Sequence, residues 1–391
     1  MSCPARTLRH CRRQVCGLFL AACASLQAWA AGEPAGPMMP PAAQAAGYPV
    51  GLYQRDWTDT QRKAYGSQMP RPLPLTLWYP AEPGSPETLQ PLGPFEPLAL
   101  SPGAPLARPG GTGSGRWPLL LLSHGTGGSA MSLGWLARGL AAQGYLVAGV
   151  DHHGNTAARP PYLAEGFLMP WERVRDLRVL LDQLLADPQW GPHIDRQRIG
   201  ALGFSLGGYT VLASLGVRLS AERLAGQWQG CLAGRPCPLP PELDELRQGR
   251  SAAEWLAQQP ALLRRLTEGD EGGADLRDDR VRAGLAMAPV LGRLMDPASL
   301  DRLDRPLHLI VADQDDQAPP QGTAALVARQ ARAASWHEVV GFGHYAFLAV
   351  CTARAQAVIP ALCADPPGHP RQALHRQVLE DARAFFQRAL P

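Results

Sequence analysis

The chain has 391 residues, 46% of them apolar, which is enough for one large α/β core with an insertion. Lys and Arg total 37 against 34 Asp and Glu, and the resulting charge of +3 is scattered along the chain beyond the N-terminal arginines. Without a basic block in that part, nucleic acid is not an expected partner.

Arg6, Arg9, Arg12 and Arg13 precede an apolar run over 15–26, and Ala28-Trp29-Ala30 supplies small residues at the end of it. This pattern reads as an export signal over 1–30 with cleavage near Ala30 or Ala31, and the run is too short to span a membrane. Leu20-Ala21-Ala22-Cys23 also fits a lipoprotein box, which would anchor the chain through Cys23, and Arg12-Arg13 faintly fits a twin-arginine signal. The apolar run continues past Cys23, so cleavage and release to the periplasm or the medium is the preferred reading. Removal of the signal leaves Cys231, Cys237, Cys351 and Cys363. An even count in an oxidising compartment implies two bridges, and Cys231–Cys237 with Cys351–Cys363 is the simplest of three pairings.

Residues 31–47 are rich in Ala, Gly and Pro and read as a flexible tether, with the folded part running from 48 to 391. LPLTLWY at 73–79 predicts an early edge strand, because prolines flank it. Residues 81–116 predict a long Pro/Gly loop. The uniformly apolar WPLLLLS at 117–123 predicts a strand buried on both faces, and it opens into His124-Gly125-Thr126-Gly127-Gly128, a loop whose glycines allow close approach to a ligand. Apolar residues at helical spacing over 131–143 and an apolar run over 145–151 complete one β-α-β unit. That strand ends in Asp151-His152-His153-Gly154-Asn155. Neighbouring residues of an extended chain point to opposite faces, so the two histidines do not readily share a metal ion; a structural or substrate-lining loop at the rim is the preferred reading.

An amphipathic helix over 171–186 leads to RIGALGFSLGGYTVLASL at 198–215, read as strand, tight turn and helix. Its turn carries G-x-S-x-G with Ser205 at the centre. Such a turn holds serine in a strained conformation with small neighbours on either side, exposing Oγ at the tip of a strand. Residues 218–280 break the alternation and read as an insertion, with short helices near 242–247 and 253–266. Its role as a cap and its role as a mere surface excursion are equally open. Strands follow over 281–287, 307–312 and 335–340. The second ends in Asp313-Gln314-Asp315-Asp316 and the third in Gly341-Phe342-Gly343-His344, before a closing helix over 372–390.

A serine hydroxyl needs a base to become a nucleophile, and the base needs a carboxylate to hold its tautomer. Ser205, Asp315 and His344 each follow a predicted strand and so lie at one edge of a parallel sheet. Asp315 is the preferred acid, with Asp316 and Asp313 as alternatives, and His344 is the base, since His308 and His337 lie inside strands. Backbone N–H groups of Thr126 and Leu206 are the expected oxyanion donors. No cofactor or metal is needed for acyl transfer of this kind. An amidase or peptidase on the same scaffold, or a silent binding protein, are the competing readings.

The stretches LLSHGTGG at 121–128, GYLVAGVDHHGNT at 144–156, GFSLGGYT at 203–210, DDRVRAGLAMAPVLG at 278–292 and GFGHYAFL at 341–348 resemble bacterial α/β-hydrolases related to platelet-activating-factor acetylhydrolase, often labelled predicted dienelactone hydrolases. The resemblance implies an α/β-hydrolase fold, a mostly parallel sheet flanked by helices with an inserted cap. It also implies nucleophile Ser205, acid Asp315, base His344 and oxyanion donors Thr126 and Leu206. The expected partner is a small-molecule or polymeric ester, with a membrane involved only if Cys23 is lipidated. True dienelactone hydrolases carry cysteine where this chain has Ser205, so that activity does not transfer. Ala312 stands where the pattern has glycine.

Overall fold

A computed structural model describes residues 47–110, 115–237 and 239–391; the segment read as signal and most of the tether lies outside the described residues. Ten strands, β1 (Val50–Lys63), β2 (Pro70–Pro80), β3 (Thr88–Leu92), β4 (Phe95–Pro102), β5 (Trp117–Ser123), β6 (Leu146–Val150), β7 (Ile194–Phe204), β8 (Ala283–Met287), β9 (Leu307–Ala312) and β10 (Ala334–Val339), lie in the order β10-β9-β8-β7-β5-β6-β2-β1-β4-β3. The run from β10 to β6 is parallel throughout, and β2 joins it antiparallel. Every residue of β5, β6 and β8 is buried, as a parallel sheet covered on both faces requires.

On one face lies α1 (Gly134–Ala142), and on the other lie α2 (Trp171–Ala186) and α3 (Leu206–Ser214). Between α3 and β8 the chain forms α4 (Ala221–Leu232), α5 (Ala252–Ala257) and α6 (Pro260–Thr267). Their Leu224, Trp228, Trp255 and Leu262 bury against the core that α2 and α3 share, so the segment is packed on the sheet's helical layer. The C-terminal α7 (Arg371–Ala389) returns to the first face beside α1. Disulfides join Cys231 to Cys237 and Cys351 to Cys363. Among the described residues no helix is long and apolar enough to cross a membrane.

Two expectations are corrected. The strand over 73–79 is not an edge: β2 pairs with β1 on one side and β6 on the other. Its prolines are tolerated because they sit at alternate positions facing away from β1; the Pro74 carbonyl accepts from Asp151 N on the β6 side, beyond the 75–78 stretch that β6 pairs. The stretch 81–116 is not one long loop, since it contains the β3–β4 hairpin turned at Gly93, with φ of +63°. Prolines hid that hairpin, and they are permitted because it is the outermost pair of the sheet. The polar β1 carried too little hydrophobic patterning to be read, whereas α4 has an apolar face, with Leu224, Trp228 and Cys231 buried, that the sequence reading passed over.

Candidate active site

β7 ends at Phe204, and α3 begins at Leu206, leaving Ser205 alone in the turn with φ of +56° and ψ of −116°. A non-glycine residue rarely occupies that region, and here the surroundings impose it. Ser205 N–H donates to the Met287 carbonyl at 2.8 Å, tying the turn to β8. The flanking glycines are required by contact. A Cβ on Gly207 would lie 1.9 Å from the Ser123 carbonyl oxygen, and one on Gly203 would lie 2.3 Å from the Gly207 carbonyl oxygen. Any side chain at either position would push the helix off the strand.

His344 follows β10 in a short 3-10 turn, and its Nε2 lies 3.1 Å from Ser205 Oγ. Its Nδ1 lies 2.7 Å from Asp315 Oδ2, while Asp315 Oδ1 accepts from the N–H groups of Gln317 and Ala318 at 3.0 and 2.6 Å. With one oxygen locked by backbone donors, the other is aimed at the imidazole, which must carry its proton on Nδ1 and present Nε2 to the serine. All three side chains are buried at 4–6% exposure.

The neighbouring aspartates have other partners. Asp313 Oδ1 accepts from the N–H groups of Gly341 and Phe342 at 2.7 and 3.4 Å, bracing the loop that carries His344. Asp316 is exposed and accepts from Gln317 Nε2 at 3.1 Å. Of the three candidates, only Asp315 touches the histidine.

The 124–128 loop lies against the elbow: a Cβ on Gly125 would be 3.4 Å from Ser205 Cβ. Leu206 is the first residue of α3, so its N–H has no helical carbonyl to meet. Thr126 N–H takes no partner among the described residues. The loop is held from behind. Gly127 N–H donates to Asn155 Oδ1 at 2.7 Å, and Asn155 Nδ2 donates to the Gly166 carbonyl at 3.0 Å. Tyr162 donates to the Gly127 carbonyl at 2.8 Å. Asn155 thus acts as a bracket, which its position in an Asp-His-His-Gly-Asn stretch did not reveal.

His152, in a stretch read as a structural or substrate-lining loop at the rim, is fully buried and held by structural partners, so the placement at the rim is corrected. Its Nε2 lies 2.9 Å from Ser123 Oγ and its Nδ1 3.0 Å from Asp176 Oδ2. Asp176 also accepts from Arg71 and Arg62 at 2.8 and 2.7 Å, and fully buried Arg173 donates to the His124 carbonyl. Burial and Arg173 lower the His152 pKa to about 3, so the ring is neutral. His153 stacks on Tyr65. No group of three or more metal-ligating side chains occurs among the described residues.

This architecture is the α/β-hydrolase fold. Residues 104–168, spanning β5, the 124–128 loop and β6, match the family described as platelet-activating factor acetylhydrolase, isoform II. The whole structure is similar to a ferulic acid esterase from Streptomyces cinnamoneus at a TM-score of 0.59 and 21% identity, covering 89% of this chain and 92% of that one. A puromycin-hydrolyzing peptidase of Mycobacterium tuberculosis aligns at a TM-score of 0.45 and 15% identity over 86% of this chain, which spans 39% of that protein's length. No curated protein matches the sequence.

Proposed function

We propose that the chain is a serine hydrolase that cleaves carboxylic esters through an acyl-enzyme. The observation that carries this reading is the 3.1 Å contact between His344 Nε2 and the hydroxyl of a serine held at positive φ on an elbow. His344 takes the Ser205 proton as Oγ attacks the substrate carbonyl, and the new oxyanion faces the N–H groups of Thr126 and Leu206. Protonated His344, steadied by Asp315, then gives its proton to the leaving alkoxide. Water repeats the sequence in reverse and frees the acid. Each oxyanion donor contributes about 3 kcal/mol in sites of this kind, so placement of the 124–128 loop weighs nearly as much as the side chains.

The two disulfides accord with an oxidising compartment, and with the N-terminal pattern they support export. The esterase reading is tested with a fluorophosphonate probe and short p-nitrophenyl esters. Wild type reacts with both and Ser205→Ala with neither; persistence of either reaction in Ser205→Ala overturns it.

A further inference from the structure

The segment between α3 and β8 brings an acidic side chain to the proposed site. Glu242 lies over the 124–128 loop: a Cβ on Gly127 would sit 2.8 Å from Glu242 Oε1. Gly127 is next to Thr126, so the carboxyl is one residue from an expected oxyanion donor. The carboxyl also acts on Tyr345, the neighbour of His344: the pKa of that phenol is raised by burial and then by Glu242, Asp316 and Asp315. Glu242 Oε2 is buried and accepts no hydrogen bond, and Glu242 forms no ion pair among the described residues. Burial raises its pKa most; a hydrogen bond from its own backbone N–H works against that rise, and Asp244, another acid, adds to it.

A carboxylate oxygen buried without a partner is unfavourable, and beside an oxyanion hole the charge also opposes the one that must develop there. Both penalties vanish when a cation enters. Every charged group named around this point is acidic, so the field favours a positive guest and disfavours an anionic one.

We propose that Glu242 is a specificity residue that selects esters bearing a cationic ammonium group. The inference rests on the esterase reading of Ser205 and extends it to substrate class. The ammonium pairs with Glu242 at the cap while the ester carbonyl lies between Ser205 and the donors at Thr126 and Leu206, so one guest removes the buried charge as it enters the site.

The test uses isosteric pairs in the full protein. For a cation on the alcohol side, 3-(trimethylammonio)propyl acetate is set against 4,4-dimethylpentyl acetate. For one on the acyl side, ethyl 4-(trimethylammonio)butanoate is set against ethyl 5,5-dimethylhexanoate. The cationic-to-neutral ratio of kcat/KM, read within each enzyme, cancels the active fraction. Glu242→Gln is expected to lower the ratio at least tenfold in one pair, with Glu242→Asp retaining a preference; a fall of less than tenfold in both pairs overturns the proposal. Should Glu242→Gln fail to fold, wild type alone decides: in one pair its ratio must exceed that of hydroxide hydrolysis at least tenfold, and a smaller excess in both overturns it. If wild type hydrolyses neutral esters without such selectivity, only the role of Glu242 falls. If it neither turns over esters nor labels with the probe, the esterase reading falls.

Discussion

Among the described residues two Ser–His–Asp arrays stand at the ends of the adjacent strands β5 and β7, and they differ in everything except their contacts. Ser205, His344 and Asp315 are linked at 3.1 and 2.7 Å; Ser123, His152 and Asp176 at 2.9 and 3.0 Å. Ser123 is the last residue of β5, in register with Gly203 and wholly buried, with its carbonyl pressed against Gly207. No carbonyl carbon has room to approach it. Ser205 stands past the end of its strand, turned outward by a positive φ, beside unengaged N–H groups. The acids differ as well: Asp315 is held by two neutral backbone donors, whereas Asp176 is saturated by arginines. Three side chains in hydrogen-bond contact therefore do not define a catalytic site. Backbone strain, access and the proposed oxyanion donors separate the array proposed for chemistry from the one buried in the fold.

Serine replacement should break the symmetry most sharply. Ser205→Ala is expected to lower ester turnover roughly 10⁴-fold or more, whereas Ser123→Ala should keep both turnover and probe labelling. Loss of labelling in a folded Ser123→Ala would assign the chemistry to the wrong serine. Replacing the acids separates the arrays by kind of effect. Asp315→Asn should lower kcat about 10⁴-fold while leaving the melting temperature near wild type, because the isosteric amide still fills the site. Asp176→Asn removes the counter-charge from buried Arg71 and one of those around Arg62, and should cost roughly 3–5 kcal/mol of stability. Calorimetry and steady-state rates on the same two proteins decide this, and a stability loss in Asp315→Asn equal to that in Asp176→Asn would collapse the distinction. A smaller effect is expected at Asn155, which touches neither array. Asn155→Ala frees Gly127 N–H and should loosen the 124–128 loop, lowering kcat roughly tenfold, below the hundredfold cost of deleting an oxyanion donor outright. An unchanged kcat would show that Asn155 does not hold the loop.

The two arrays were not equally legible. Ser205 announces itself through spacing, because only glycine fits at 203 and 207, and Asp315 and His344 follow from their places after apolar strands. The choice of Asp315 over Asp313 depends on which carboxylate meets Gly341 N–H, a matter of loop geometry that composition does not encode. The paired histidines drew attention to His152, but nothing local tied it to Ser123 and Asp176, which lie on separate elements and meet it through the stacking of α2 on β5 and β6. Glu242 was invisible because it is one of several acids in an insertion whose docking no period predicts.

The buried array should also set the acid limit of the fold. In the unfolded chain His152 takes up a proton near its ordinary value of 6.5, whereas in the folded protein burial and Arg173 hold it neutral down to about 3. Between those values the unfolded state binds more protons, so stability present above 6.5 is lost progressively as pH falls toward 3. His375, lowered to about 3 by burial, and His153, lowered to about 4, act in the same sense. Asp151 opposes them: burial raises it to about 6, so folding gains as it protonates on acidification. His124 and His308 are lowered by burial as well, and Glu242, raised by burial, joins Asp151, so five histidines against two carboxyls leave a net loss. Urea midpoints measured from pH 7 to 4 should therefore fall in wild type, and His152→Gln, less stable at pH 7, should fall less steeply over the same range. Parallel curves for the two proteins would mean that His152 is already protonated in the folded state, and the buried array would then be an ion network rather than a neutral brace.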